Sequence, residues 1–335
     1  MSTKAKKVDH ARPPRRAFGL VGLLVTAGLS YLAASHIYIA TDWWKLRDYQ
    51  PSAQVSGLAN STTMTDAARR YFYINHPAVE DKATFRSNCD KFGETTIVLG
   101  CYQSNMRGIY ILSVDDERLE GVEQVTAAHE MLHAAYDRLS KDKKAEVNRW
   151  LQDFADNQLQ DARVKKILKN YETTEPGQQL NEMHSIFGTE VANLSPQLEQ
   201  YYRQYFTDRQ TVAAFAGSYQ GAFTSRQEAI QKYDNQLKTM SKTINDNKNT
   251  LVSQEKQLDD EGRKLQNYRA SGRIDTYNQG VEPYNTKIDT YNKLLEDTKT
   301  LIDRYNAIVA QRNQLAQETL SLQQAIDSSS LPATK

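Results

Sequence analysis

An α+β chain, mostly helical, is predicted by three observations. Leucine and isoleucine recur every seven residues in two series near the C-terminus, two short strand-like runs lie between residues 95 and 114, and residues 17–40 carry no formal charge. Together they order the chain as an N-terminal transmembrane helix, a compact domain with a short sheet, and a C-terminal antiparallel helical hairpin (a coiled coil). The expected divisions are 1–16, a basic cytoplasmic tail; 17–40, the transmembrane helix; 41–64, a linker; 65–221, the compact domain; 222–327, the hairpin; and 328–335, a disordered tail.

The N-terminal expectation rests on charge. Residues 1–16 hold Lys4, Lys6, Lys7, Arg12, Arg15 and Arg16 against Asp9. Ala17–Ala40 then spans 24 residues, enough at 1.5 Å per residue to cross a hydrocarbon core of roughly 30 Å. Trp43 and Trp44 follow where an aromatic belt would sit, with Lys45 and Arg47 beyond. The basic flank predicts a single-pass protein of the cell membrane, its N-terminus cytoplasmic and its bulk outside. A cleaved signal peptide is the competing reading, since Ala33-Ala34-Ser35 offers small residues to a peptidase.

Residues 41–64 read as a linker because Pro51, Ser52, Gly57, Asn60, Ser61, Thr62 and Thr63 break periodic structure. A helix is expected over Thr65–Tyr73, stopping before Pro77, then strands over Thr95–Tyr102 and Gly108–Val114. Gly93-Glu94 lies between Cys89 and Cys101, and Ile97-Val98-Leu99 precedes Cys101; outside the cytoplasm the pair predicts a disulfide closing a hairpin-like loop, with a free buried pair as the alternative. Beyond about residue 118 the pattern is helical, with helix starts at Ser140 and at Ser195-Pro196, where proline takes the first helical position.

The hairpin is read from Ile230, Leu237, Ile244, Leu251, Leu258 and Leu265 in one arm, and Leu294, Leu301, Ile308, Leu315 and Leu322 in the other. Ser271, Gly272, Gly280 and Pro283 interrupt them over 270–283. Asn247, Gln254, Glu261 and Arg312 fall where a seam prefers apolar residues, so the arms are expected to pair marginally or to await a partner. The same heptads would also serve pairing between chains or docking to another envelope protein.

The whole chain has 335 residues, with 42 basic against 41 acidic, a formal net charge of +1 and 25% charged residues. Mean hydropathy is -0.70. That balance excludes a strongly basic nucleic-acid binder and an acidic solvating chain. Two cysteines exclude a disulfide-dense scaffold and a four-cysteine zinc site.

Chemistry concentrates in His129-Glu130-Met131-Leu132-His133, within the helical pattern Val122–Leu139. Residues four apart share a helix face, so both imidazoles can converge on one ion. Glu130 lies about 100° around, placed to reach a water on that ion and act as general base. A helix burying two histidines by accident would also bury Glu130 without a partner, which is costly.

A second run, Asn181-Glu182-Met183-His184-Ser185-Ile186-Phe187-Gly188-Thr189-Glu190, resembles the ligand helix of the gluzincin metallopeptidases, the thermolysin-like group. Asn181, Glu182 and Ser185 match its Asn-Glu-x-x-Ser-Asp motif, with a one-residue deletion before Ile-Phe-Gly-Thr. The resemblance covers the two motifs alone. It implies a zincin-like domain, Zn2+ bound by His129, His133 and Glu182, and Glu130 as the catalytic base. The family's orienting Asp falls at Ile186, which cannot serve, so Ser185 is the candidate to orient a histidine. His184 is the rival third ligand, but stands about 200° from Glu182 on the helix. The gap from His133 to Glu182 is longer than in that family, with room for extra helices.

Weaker expectations complete the reading. Gly108–Val114 is the candidate strand for extended substrate, as in zincins generally. The tyrosines Tyr201, Tyr202 and Tyr205 are considered, without preference, for stabilising an oxyanion. Glu190 reads as a supporting or surface carboxylate, and His76 has no identified role. The expected protein is a membrane-anchored, extracytoplasmic zinc metallopeptidase acting on peptide or protein substrates. Its rivals are a non-enzymatic coiled-coil adaptor with an inactive zincin domain, and a zinc enzyme acting on cell-wall amide bonds.

Overall fold

The computed structural model describes residues 41–89, 98–104, 108–174 and 177–328. The expectations for 1–40 and for the tail beyond 328 lie outside these. Among the described residues no helix is long and apolar enough to cross a membrane. They form a mostly helical body with one small sheet and a long helical pair.

The first elements revise the linker reading. After a helical turn at 41–46, helix α1 (Ala53–Ser61) starts on a Ser52 cap whose side chain accepts from the Val55 amide, and buries Val55, Leu58 and Ala59. Ser52 therefore starts a core helix here, because its hydroxyl satisfies an amide that would otherwise be orphaned. Helix α2 (Asp66–Tyr73) begins, as expected, at Thr65, whose side chain accepts from Ala68. Strand β1 (Ala78–Glu80) and helix α3 (Lys82–Cys89) follow.

Strands β2 (Gly100–Gln103) and β3 (Gly108–Leu112) are antiparallel, while β1 pairs parallel to β3 (Ala78 opposite Tyr110), giving the order β1-β3-β2. Cys89 and Cys101 form the expected disulfide, tying the end of α3 to β2. Helix α4 (Val122–Asp137) carries the first histidine motif and is buried along most of its length. Helices α5 (Lys141–Asn157, capped by Ser140) and α6 (Ala162–Thr174) fill the long gap between the motifs. Helix α7 (Gln179–Thr189) carries the second motif, and α8 (Pro196–Tyr202) opens on Ser195 with proline first.

The main core lies where α4, α5 and α7 meet, around Met131, Leu132, Leu151, Phe154 and Phe187. Gly188 sets the closeness of that packing. A Cβ there would stand 2.4 Å from Leu132 Cδ1 and 2.8 Å from Tyr202 Cε1, so only glycine lets α7 rest on α4 at this depth.

Helices α9 (Arg209–Ala270) and α10 (Ile274–Ile326) form the hairpin, paired within the chain. The reversal is confined to 271–273; Gly280 and Pro283, expected as breakers, sit inside α10 because pairing with α9 overrides the local preference. Several polar seam residues find partners across the arms. Asn247 donates to Thr298 Oγ1 at 3.0 Å, Arg312 bonds Asp234 at 3.0 Å, and Glu261 pairs with Lys287. The hairpin is seated at both ends. Arg209, its first residue, donates to the Val191 and Ala192 carbonyls just past the end of α7, while Leu322 and Ile326 of α10 pack on Leu119 and Val122.

Candidate metal centre

His129 and His133 stand one turn apart on α4 with ring centroids 4.7 Å apart, and α7 brings Glu182 against both. His129 Nε2 lies 3.5 Å from Glu182 Oε2, and His133 Nε2 lies 3.4 Å from Glu182 Oε1. One donor atom from each of the three falls within 4.8 Å of the others. Their side chains are 18%, 10% and 12% exposed, so the group is largely buried with a small share of each side chain open to solvent.

The His133 ring is oriented by an amide. Its Nδ1 is 3.0 Å from Asn181 Oδ1; an amide oxygen only accepts, so Nδ1 carries the hydrogen and Nε2 keeps its lone pair toward Glu182. Glu182 Oε2 is buried with no hydrogen-bond partner among the described residues, while Tyr171 of α6 donates to the same carboxylate. Burial works to raise the Glu182 carboxyl, but when protonated the His133 and His129 rings pull it down, and with the Tyr171 bond they hold it at about 2. A carboxylate and two imidazoles this close share one positive charge, carried by a proton on a ring or by a metal ion in its place, and the three residues could bind a metal ion.

Glu130 is 6% exposed and its side chain stands against β2. A Cβ on Gly100 would stand 2.9 Å from Glu130 Cγ and Oε1 and 2.4 Å from Thr126 Cγ2, so the strand rests directly on the helix beside the carboxylate. The neighbouring Cys101 ties this strand to α3 through the disulfide.

Several sequence-based expectations change here. His184 does not join the group. It is fully buried on the opposite side of α7, its Nε2 is 2.9 Å from Tyr201 Oη, and burial pushes its imidazole down to about 3, keeping it neutral. Tyr201, Tyr202 and Tyr205 ring His184 in the core, away from the metal group, because α8 packs on that side. Ser185 Oγ is buried without a hydrogen-bond partner among the described residues, and it is Asn181 that orients His133. Strand β3 is central and paired on both sides, so it has no free edge for substrate; β1 and β2 are the outer strands. Glu190 ties elements together, accepting from Arg163 at 2.7 Å and Gln220 at 2.9 Å. His76 stacks on Tyr49 with centroids 4.6 Å apart.

Three residues of the site were not assigned from sequence. Asn181 lay inside the quoted motif, and a glycine within a strand pattern such as Gly100 signals close backbone approach. Tyr171 carried no local signal. No protein-family model, curated protein or solved structure matches the chain.

Proposed function

We propose that the chain is a membrane-anchored zinc metallopeptidase that hydrolyses peptide bonds outside the cytoplasm. The observation that carries this reading is the convergence of His129, His133 and Glu182, with Glu130 of the same helix standing against an outer strand. Zinc suits the donor set. It is two imidazole nitrogens and a carboxylate oxygen, with one atom from each residue within 4.8 Å of the others. His129, His133 and Glu182 would hold the ion, with Asn181 and Tyr171 orienting two of the three. When bound, zinc would act as a Lewis acid that lowers the pKa of a water to about 7.

Glu130 would serve as the base, taking a proton from a water and giving it to the leaving amine, so that its carboxylate is regenerated at the end of the cycle. Substrate would lie extended along β2, whose outer main-chain groups offer hydrogen bonds beside Glu130. The anchor is read from the basic N-terminus and the uncharged stretch 17–40, and the Cys89–Cys101 disulfide accords with an oxidising exterior. The hairpin, at 1.5 Å per residue about 90 Å long in its first arm, would carry a docking surface for an envelope protein or a second copy.

The test uses the full chain. Zinc content and hydrolysis of unstructured casein are measured beside Glu130→Gln and His129→Ala. Zinc retained with activity lost in Glu130→Gln, and both lost in His129→Ala, is the expected result. Zinc bound without turnover in the natural chain overturns the peptidase and leaves the anchored adaptor.

A further inference from the structure

Trp43 and Trp44 are the most exposed large apolar side chains among the described residues, at 63% and 68%. They are adjacent on the helical turn 41–46, which follows directly on the uncharged stretch 17–40. Two such indoles side by side are costly in water, and indoles settle at membrane interfaces, apolar ring inward and N–H outward. Lys45 and Arg47 on the same segment suit anionic headgroups.

This turn is bolted to the body. Asp42, 3% exposed, is the first formal charge after residue 16, and the fold neutralises it internally. Arg138 grips it with two bonds of 2.8 Å and Arg70 adds a third at 3.0 Å. His76 Nε2 sits 3.2 Å from the Lys45 carbonyl and stacks on Tyr49, bracing the following residues. Two guanidiniums around one buried carboxylate leave the turn little freedom to swing.

The far end of the clamp matters most. Arg138 is the C-terminal cap of α4, the helix of the metal group. It lies five positions beyond His133, so the metal group begins about 7.5 Å along the helix axis from the clamp. A surface fixed to one end of α4 therefore fixes the height of the other.

We infer that the Trp43–Trp44 turn lies in the headgroup layer of the bilayer and holds the metal group at a fixed, short distance from it. The substrates are then peptide bonds in the membrane-proximal external segments of other membrane proteins. This rests on the anchored-peptidase reading above. A protein partner covering the two indoles is the opposing outcome.

The chain has three tryptophans, 43, 44 and 150, which makes the surface directly measurable. The full chain is reconstituted in phosphatidylcholine–phosphatidylglycerol vesicles whose lipids are brominated just below the headgroup. Trp150→Phe reports only on the pair, and the double variant Trp43→Phe/Trp44→Phe only on Trp150 of α5. Bromine is expected to quench the pair at least about twofold while leaving Trp150 nearly unchanged, as short-range contact with lipid demands. Equal, weak quenching of both overturns the surface. For the substrate, one unstructured casein segment is displayed in the same vesicles on a single-span carrier. It is placed directly outside the bilayer or raised on a folded domain about 35–40 Å tall. Cleavage at least about tenfold faster for the low position is expected, since only that position brings the segment to the site at high effective concentration. Equal cleavage overturns the inference and leaves the peptidase standing. Cleavage of neither, with free casein also intact, removes the peptidase itself.

Discussion

Replacing Asn181 by alanine would remove the one acceptor seen on His133 Nδ1, a 3.0 Å bond in a largely buried place. The loss has two parts. The ring N–H is left without its partner, which costs about 1–3 kcal/mol in a buried setting. The ring also gains freedom to turn and to exchange tautomers, which lowers the share of states with the Nε2 lone pair toward Glu182. Together they predict a fall of about 10–100-fold in metal affinity, equivalent to about 1.4–2.7 kcal/mol. The assay is competition for zinc against a chromophoric chelator, read beside Asn181→Asp and Ser185→Ala. Aspartate keeps an acceptor on Nδ1 and is expected to hold or raise affinity. Ser185→Ala should stay within about twofold, because its hydroxyl makes no hydrogen bond to lose. If alanine at 181 leaves zinc affinity unchanged, or Ser185→Ala costs as much, the orienting role of Asn181 is wrong.

Three further outcomes follow from the same geometry. Gly188→Ala would force a methyl to 2.4 Å from Leu132 Cδ1 and is expected to cost about 1–3 kcal/mol, measured as a melting point several degrees lower. Gly100→Ala would press a methyl on Thr126 and Glu130, so casein turnover should fall at least about tenfold with zinc content unchanged in the same preparation. Metal removal should destabilise the fold: at free zinc a hundred times the dissociation constant, binding contributes about 2.7 kcal/mol. A chelator should therefore lower the melting point of the natural chain and leave that of Glu182→Ala where it was.

Much of this molecule was legible in the order of its residues. Thr65, Ser140 and Ser195 each start the helix expected of them, because a side chain three residues upstream of an orphaned amide is a purely local device. The hairpin is equally local in origin, since a seven-residue repeat is read within one arm. Ser52 and Pro283 misled because each was read as a breaker; the first is a cap for a helix the core holds, and the second is carried by a paired arm. The disulfide was legible from compartment and spacing together.

The sequence by itself determined what one helix can present: two imidazoles on one face of α4, and a carboxylate turned about 100° from them. Those relations depend only on 3.6 residues per turn, and no neighbour is needed to enforce them. Tertiary structure alone decided what meets that face. It set Glu182 and Asn181 beside the imidazoles, turned His184 into the core, laid Gly100 on Glu130 and drew Asp42 to Arg138, 96 residues away. Such meetings follow from how deeply helices and strands can approach one another, which depends on side-chain volumes such as the missing methyl of Gly188, and no periodicity within a single segment records them.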